Sequence, residues 1–121
     1  MSIEFKDNIP IYLQIVDDIK MQIMANKLKE DDKVSSVREL AIIYGVNPNT
    51  VQKALSELER ENLVKTERTS GRYICATKQQ INDMKEKLAR EQITTFLQKM
   101  KDIGYDANMI IEMIKRSEAN E

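Results

Sequence analysis

A central segment constrains the fold of this chain more than any other feature, because it carries two helix-start signals separated by a helix-stop signal. Ser36 and Glu39 have the spacing of a capping box, in which each side chain bonds to the other residue's backbone N–H. Gly45 is typical of the residue that follows a helix. Asn47 followed by Pro48 is typical of an N-cap and a first helical residue. The pattern therefore predicts two short helices joined by a short turn.

Two short helices joined by a turn that contains glycine are typical of the helix-turn-helix, a DNA-binding motif. Its second helix buries one face and offers polar side chains from its N-terminal half to the major groove. The segment 47–62 has an apolar stripe for the first role. Its candidates for contacts with bases or phosphates are Asn47, Asn49, Thr50, Gln52 and Lys53. The pattern alone leaves open an ordinary helical hairpin with a solvated polar face.

A β-hairpin is predicted directly after this second helix. Apolar, strand-like runs at 63–65 and 73–76 flank a turn-forming segment, 66–72, with the tip of the hairpin near Gly71. Such a hairpin makes the motif winged. The tip could reach the minor groove or the flanking backbone with Arg68, Ser70, Gly71 and Arg72.

Three more helices are predicted from apolar residues that recur at three- and four-residue spacing, at 10–26, at 78–103 and after Asp106. The predicted fold class is therefore mainly α with a small β-hairpin. We predict a winged helix-turn-helix domain at residues 1–76, followed by a C-terminal two-helix dimerisation segment at residues 77–121.

The C-terminal segment carries more apolar surface than two helices can bury against each other. Self-association by two-fold symmetry would bury it, and packing against the first helix of the same protomer is the alternative. A homodimer would set two recognition helices about 34 Å apart, which requires a palindromic operator. The residues predicted to form the dimer interface are Ile81, Met84, Leu88, Phe96, Leu97, Met100, Met109, Ile110, Met113 and Ile114.

Residue types that are scarce or missing exclude several kinds of chemistry. The chain has no His and one Cys, which excludes Ser-His-Asp and Cys-His catalysis, zinc sites with imidazole ligands and sites of four thiolates. We therefore expect no enzymatic activity, no cofactor and no metal. No stretch approaches the roughly 18 apolar residues of a membrane helix, and the N-terminus lacks a signal-peptide pattern. These features favour a cytoplasmic protein with no membrane partner.

The charge of the whole chain argues neither for nor against a polyanionic partner. The chain has 19 Lys and Arg and 20 Asp and Glu, which gives a formal net charge of −1. Residues 33–76 are slightly basic, and their acidic residues are concentrated toward the far end of the recognition helix. A winged-helix module whose apolar tail binds another protein therefore remains the alternative to a DNA-binding protein.

These segments resemble, in the same order, the winged-helix domain of GntR-family transcription regulators. The matching stretches are Pro10–Ile19, Ser36–Ala41, Tyr44–Val51, Ala54–Glu59 and Ser70–Gly71. The short tail resembles that of the YtrA-like subfamily, whose members are dimeric repressors, often of ABC-transporter operons. The resemblance implies a repressor that binds double-stranded DNA. No segment encodes a recognisable pocket for a small-molecule effector, although a dimer interface could form one.

The resemblance also implies roles for single residues. Arg38 falls on the family's DNA-contacting arginine, and Ser36 precedes it in the same motif. Thr50 matches the phosphate-binding threonine, and Gly71 matches the second glycine of the wing.

Two departures from the family pattern bear on base recognition. Pro48 and Gln52 stand where the wider family usually has arginine. We therefore hypothesise an operator richer in A·T pairs, with Asn49 and Gln52 offered to adenine edges.

Overall fold

The computed structural model describes residues 3–119; the outermost residues of the two predicted domains, 1–2 and 120–121, lie outside the described part. The chain forms α1 (Ile11–Met24), α2 (Val37–Tyr44), α3 (Pro48–Arg60), β1 (Val64–Glu67), β2 (Gly71–Ile74), α4 (Lys78–Asp102) and α5 (Ala107–Ala119). The strands pair in one antiparallel sheet. This architecture confirms the predicted fold class.

The start of α2, its end and the start of α3 lie at the predicted residues, whereas α3 ends at Arg60, two residues before the end of the predicted segment. The backbone N–H of Glu39 donates to the Ser36 hydroxyl, and the N–H of Ser36 donates to the Glu39 carboxylate, each at 3.1 Å. Gly45 ends α2 in the left-handed conformation, with φ of 66°. Asn47 caps α3 by accepting from the N–H of Asn49 at 2.7 Å. Local hydrogen bonds therefore fix both ends of the turn between α2 and α3.

The core of the winged-helix part lies between α1 and α3 and is closed by α2 and the sheet. Its buried apolar side chains include Ile15, Val16, Ile19, Ile23, Leu40, Val51, Ala54, Leu55, Leu58, Val64 and Ile74. Because this packing holds one face of α3, the opposite face lies in solvent.

A buried polar contact joins α2 to α1. The Tyr44 hydroxyl donates to Asp18 at 2.6 Å, and the Gln22 amide donates to the same carboxylate oxygen at 3.0 Å. Tyr44 and Gln22 are both buried. Burial, followed by the hydrogen bond to Asp18, raises the pKa of Tyr44 well above its ordinary value. The contact fixes the end of α2 from which the turn to α3 departs.

The strands extend further into the hairpin than the sequence predicted. Thr66 pairs with Arg72 and Glu67 pairs with Gly71, so the turn contains only residues 68–70. Polar residues suggested a long turn, but a strand with one solvent-exposed face accommodates them. Arg72 therefore belongs to strand β2 and not to the tip of the wing.

The loop between α1 and α2 also pairs with the hairpin. The N–H of Val34 donates to the carbonyl of Arg72 at 2.9 Å, and Ile74 exchanges backbone hydrogen bonds with the segment 31–32 at 2.8 and 2.9 Å. In the sequence alone, the polar run at residues 26–33 is typical of an exposed loop without strand pairing. Backbone groups make this pairing while Asp31 and Lys33 stay exposed, so side-chain composition did not reveal it.

The chain divides into two compact units within α4, between Asn82 and Asp83, whereas the sequence places the boundary before this helix. In the second unit Ile110 is buried. No side chain of α4, all of whose residues are described, is buried. Among the described residues, no helix is both long enough and apolar enough to cross a membrane.

Candidate nucleic-acid interface

The exposed face of α3 carries the predicted recognition residues. Asn49, Gln52 and Lys53 are exposed, and Thr50 is half-buried. Their neighbour Val51 is fully buried. This is the arrangement of a recognition helix, with one face in the core and polar side chains on the exposed face.

Lys53 is held by an aromatic side chain that the sequence analysis did not connect with it. The Lys53 ammonium lies 4.2 Å from the centre of the Tyr12 ring, which is within cation–π range. Tyr12 is on α1, far from Lys53 in sequence, so no local pattern links the two residues. The contact keeps a positive charge beside the exposed face of α3.

A second network joins the wing to α3. The Arg72 guanidinium donates to Glu59 at 2.9 Å and to the side-chain oxygen of Gln52 at 3.3 Å. The Thr66 hydroxyl donates to the same oxygen of Glu59. The bond from Thr66, and after it the bond from Arg72, lowers the pKa of Glu59 below its ordinary value. The hairpin is therefore attached through its side chains to the recognition helix.

The acidic residues of α3 and its C-cap are each paired with a cation. Glu57 bonds to Arg60 at 2.6 Å, and Glu61 bonds to Lys20 at 2.8 Å. The bond from Arg60 lowers the pKa of Glu57. With Glu59 bonded to Arg72, the negative charge of this helix end is locally balanced.

Two arginines near the recognition helix have no side-chain partner among the described residues. Arg38 on α2 and Arg68 in the wing turn are exposed. Within residues 3–119 neither makes an ion pair or a side-chain hydrogen bond. Both can therefore meet phosphate groups without first breaking an internal contact.

A groove separates the N-terminus of α2 from the wing. It is lined by Lys33, Ser35, Ser36, Glu39, Ser70, Gly71 and Arg72, among others. Gly71 has a φ of 114°, and a Cβ there would lie 3.2 Å from Cε of Lys33. A larger residue at this position would combine backbone strain with crowding, which explains the glycine at this edge of the groove.

The structure places the predicted DNA contacts on α2, the turn to α3, α3 and the wing, all in the first compact unit. Several of these residues also make contacts within the protein. Ser36 and Asn47 cap α2 and α3, Lys53 lies against Tyr12, and Arg72 bonds to Glu59 and Gln52. Lys33, which the sequence analysis did not select, also lines the groove because its loop pairs with β2.

The predicted dimerisation residues lie on α4 and α5. Phe96, Leu97, Met109, Met113 and Ile114 are exposed by 39 to 49%, and Ile81, Met84, Leu88 and Met100 are half-buried. Ile110 differs from the other predicted residues, because it is only 5% exposed in the single chain and so offers little of its side chain to a partner. Ile93, Ile103 and Ile111 are also exposed and enlarge the apolar surface.

Several known proteins are similar to this chain in sequence, in fold or in both. The profile of the bacterial regulatory proteins of the gntR family matches residues 11–74. The chain is 40% identical over 115 residues to YhcF, an uncharacterized HTH-type transcriptional regulator of Bacillus subtilis (strain 168), with 95% of each chain covered. It is 36% identical over 121 residues to the HTH-type transcriptional repressor YtrA of the same organism, covering 99% of this chain and 93% of YtrA. A solved GntR family transcriptional regulator from Listeria monocytogenes superimposes with a TM-score of 0.81 at 36% identity, covering 93% of this chain and 98% of that one.

Proposed function

The chain belongs to the GntR family of bacterial regulatory proteins, in its YtrA-like subfamily, and we propose that this DNA-binding transcription regulator is a homodimeric repressor of a transporter-type operon. It would act in the cytoplasm by occupying a palindromic operator and occluding a promoter. It is a regulator and not an enzyme.

The exposed polar face of α3 is the observation that carries this proposal. Asn49 and Gln52 offer amide groups to base edges, while Lys53 offers a charge to the backbone. Arg38 on α2 and Arg68 in the wing lie on the elements that flank α3 and would add phosphate contacts. Ser36, Thr50, Ser70 and Gly71 would complete the contacts with the DNA backbone.

The exposed apolar side chains of α4 and α5 support the homodimer. A surface with Phe96, Leu97 and Met113 open to water is unfavourable for a single chain, and a second copy could cover it. An isologous contact would relate the two recognition helices by a two-fold axis. The operator would then repeat the same half-site in inverted order.

Gel mobility on the DNA upstream of the protein's own coding sequence tests the proposal against its alternative. We expect a shift with this DNA at both low and moderate salt, and a shift with a scrambled fragment at low salt only. Non-specific binding is largely electrostatic and weakens as counterions compete, which is why moderate salt separates the two fragments. Indifference to both fragments at both salt concentrations would favour a module that binds another protein through its tail.

A further inference from the structure

We propose that Arg72 is a positioning residue that fixes the side-chain amide of Gln52, so that α3 reads guanine and not adenine through this glutamine. The inference rests on the proposed function, because it concerns how the recognition helix selects its operator. It also changes the hypothesis, made from the sequence, that Gln52 is offered to adenine.

Both polar groups of the Gln52 amide have a partner inside the protein. Nη2 of Arg72 lies 3.3 Å from Oε1 of Gln52, and Nε2 of Gln52 lies 3.5 Å from Oγ of Ser56. A guanidinium has donors and no acceptor, so the amide atom that faces it must be the oxygen. Arg72 therefore determines which way the amide is turned.

Arg72 is itself anchored by a part-buried hydrogen bond, which restrains the guanidinium that contacts the exposed Gln52 amide. Its Nε donates to Glu59 at 2.9 Å, and its side chain is only 22% exposed. Thr66, its partner in the sheet register, donates to the same carboxylate oxygen. The guanidinium is thus held between the wing strand and α3, with one edge toward Gln52.

This orientation changes what Gln52 can recognise. To bind adenine through two bonds, a glutamine accepts from N6 with its oxygen and donates to N7. Here the oxygen is already bonded to a cation, and the adjacent guanidinium donors disfavour the amino group of adenine. One hydrogen of Nε2 is directed toward Ser56, and the other remains available to the acceptors of guanine, N7 and O6. Asn49 has no side-chain hydrogen bond within the described residues and keeps the capacity to bind adenine.

Selection of randomised DNA by the full-length protein, followed by sequencing, tests the proposal. The selected sequences are aligned, so that each column is one base position of the half-site. For the wild type we expect one column to favour guanine over adenine by about tenfold, as a good base contact would. Gln52→Ala and Arg72→Met should each reduce the preference in that same column to less than about threefold. The double variant should show no further loss in that column, because both changes remove one interaction.

Two further variants separate positioning from charge and from folding. Arg68→Met removes one positive charge from the turn of the same wing, and we expect weaker binding to all sequences with every column unchanged. Glu59→Ala keeps Arg72 but removes its anchor, so overall affinity should rise while the guanine preference in the Gln52 column is lost. This variant also tests the proposal if thermal melts show that Arg72→Met does not fold.

The outcomes distinguish this inference from the proposed function. A wild-type protein that enriches no sequence would overturn the function itself. A palindrome whose Gln52-dependent column is adenine would overturn only the inference. The inference would equally fail if Arg72→Met altered a different column from Gln52→Ala, since Arg72 would then contact DNA independently.

Discussion

Single residues stabilise the helix-turn-helix through contacts that cross from one helix to another. Tyr44, at the end of α2, donates to Asp18 of α1 from a buried position. A hydrogen bond to a charged group contributes more to the free energy of unfolding than a neutral one, typically about 1.5 to 3 kcal/mol. Because this bond fixes the end of α2, it stabilises the geometry of the turn that leads to α3.

Tyr44→Phe should lower the free energy of unfolding at pH 7 by about 2 kcal/mol, because it removes this hydrogen bond. The fold raises the pKa of Tyr44. The protonated hydroxyl therefore makes its full contribution to the free energy of unfolding at pH values below the unfolded pKa of about 10. That stability is lost as pH rises toward the folded pKa. We propose urea unfolding of the wild type and of Tyr44→Phe from pH 7 to 11. The gap between their free energies of unfolding should narrow above about pH 10. A gap that stays constant to pH 11 would contradict the role assigned to the Tyr44 hydroxyl.

At the scale of elements, α3 depends on α1 for more than packing. The Tyr12 ring of α1 lies against the Lys53 ammonium of α3. An exposed lysine loses side-chain entropy when it binds a phosphate, and a lysine already restrained by a ring loses less. The contact therefore prepares Lys53 to meet the DNA backbone.

Lys53→Ala should weaken binding by a similar factor across all DNA sequences, because a phosphate contact carries no base information. The slope of the logarithm of the binding constant against the logarithm of salt concentration should fall by about 1 for each Lys53 that contacts phosphate. Tyr12→Phe is the matched control, since it keeps the ring and should leave the slope unchanged. Fluorescence anisotropy at several salt concentrations measures both quantities. Binding and slope that are unchanged in Lys53→Ala would remove this residue from the interface.

The elements also show how much of the molecule could be predicted from its sequence. Both ends of α2 and the start of α3 were predictable, because Ser36, Gly45 and Asn47 act through bonds to nearby backbone groups. The pairing of the α1–α2 loop with β2 was not, because backbone groups form it across a large separation in sequence. The contact of Arg72 with Glu59 was missed for a related reason: strand residues 66–67 and 71–72 have the composition of a turn.

At the scale of the whole molecule, the formal charge of −1 is an average. Some charged side chains are paired within the protein, and others are free to contact DNA. The acids at the end of α3 are paired within the protein, whereas Arg38 and Arg68 have no ion pair or side-chain hydrogen bond with any described residue. A single winged-helix unit therefore offers few cations to DNA. Two units joined by their tails would double these contacts on one operator, which connects affinity to the proposed dimer.

Phe96→Asp tests this connection, because a charge at an apolar contact disfavours association. Phe96 is 44% exposed in the single chain, so we expect little change in fold as judged by circular dichroism. Sedimentation should show a dimer for the wild type and a monomer for the variant, with affinity for the operator lower by about 100-fold or more.

Thr94→Asp provides the control, because it places the same charge at an exposed position of α4 on the opposite side of the helix from Phe96. It should remain dimeric and bind the operator as the wild type does. A wild-type protein that is monomeric at every concentration and still binds the complete operator tightly would contradict the dimer.

The central claim is that two copies of α3 read one palindromic operator, and the most direct measurement is the sequence of DNA fragments that the pure protein selects from a random pool. We predict an inverted repeat whose half-sites are separated by about 34 Å, or one helical turn, or by a multiple of that distance. Phe96→Asp should enrich single half-sites more weakly and without fixed spacing. Enrichment of one asymmetric site by the wild type, or of no site at all, would contradict the account.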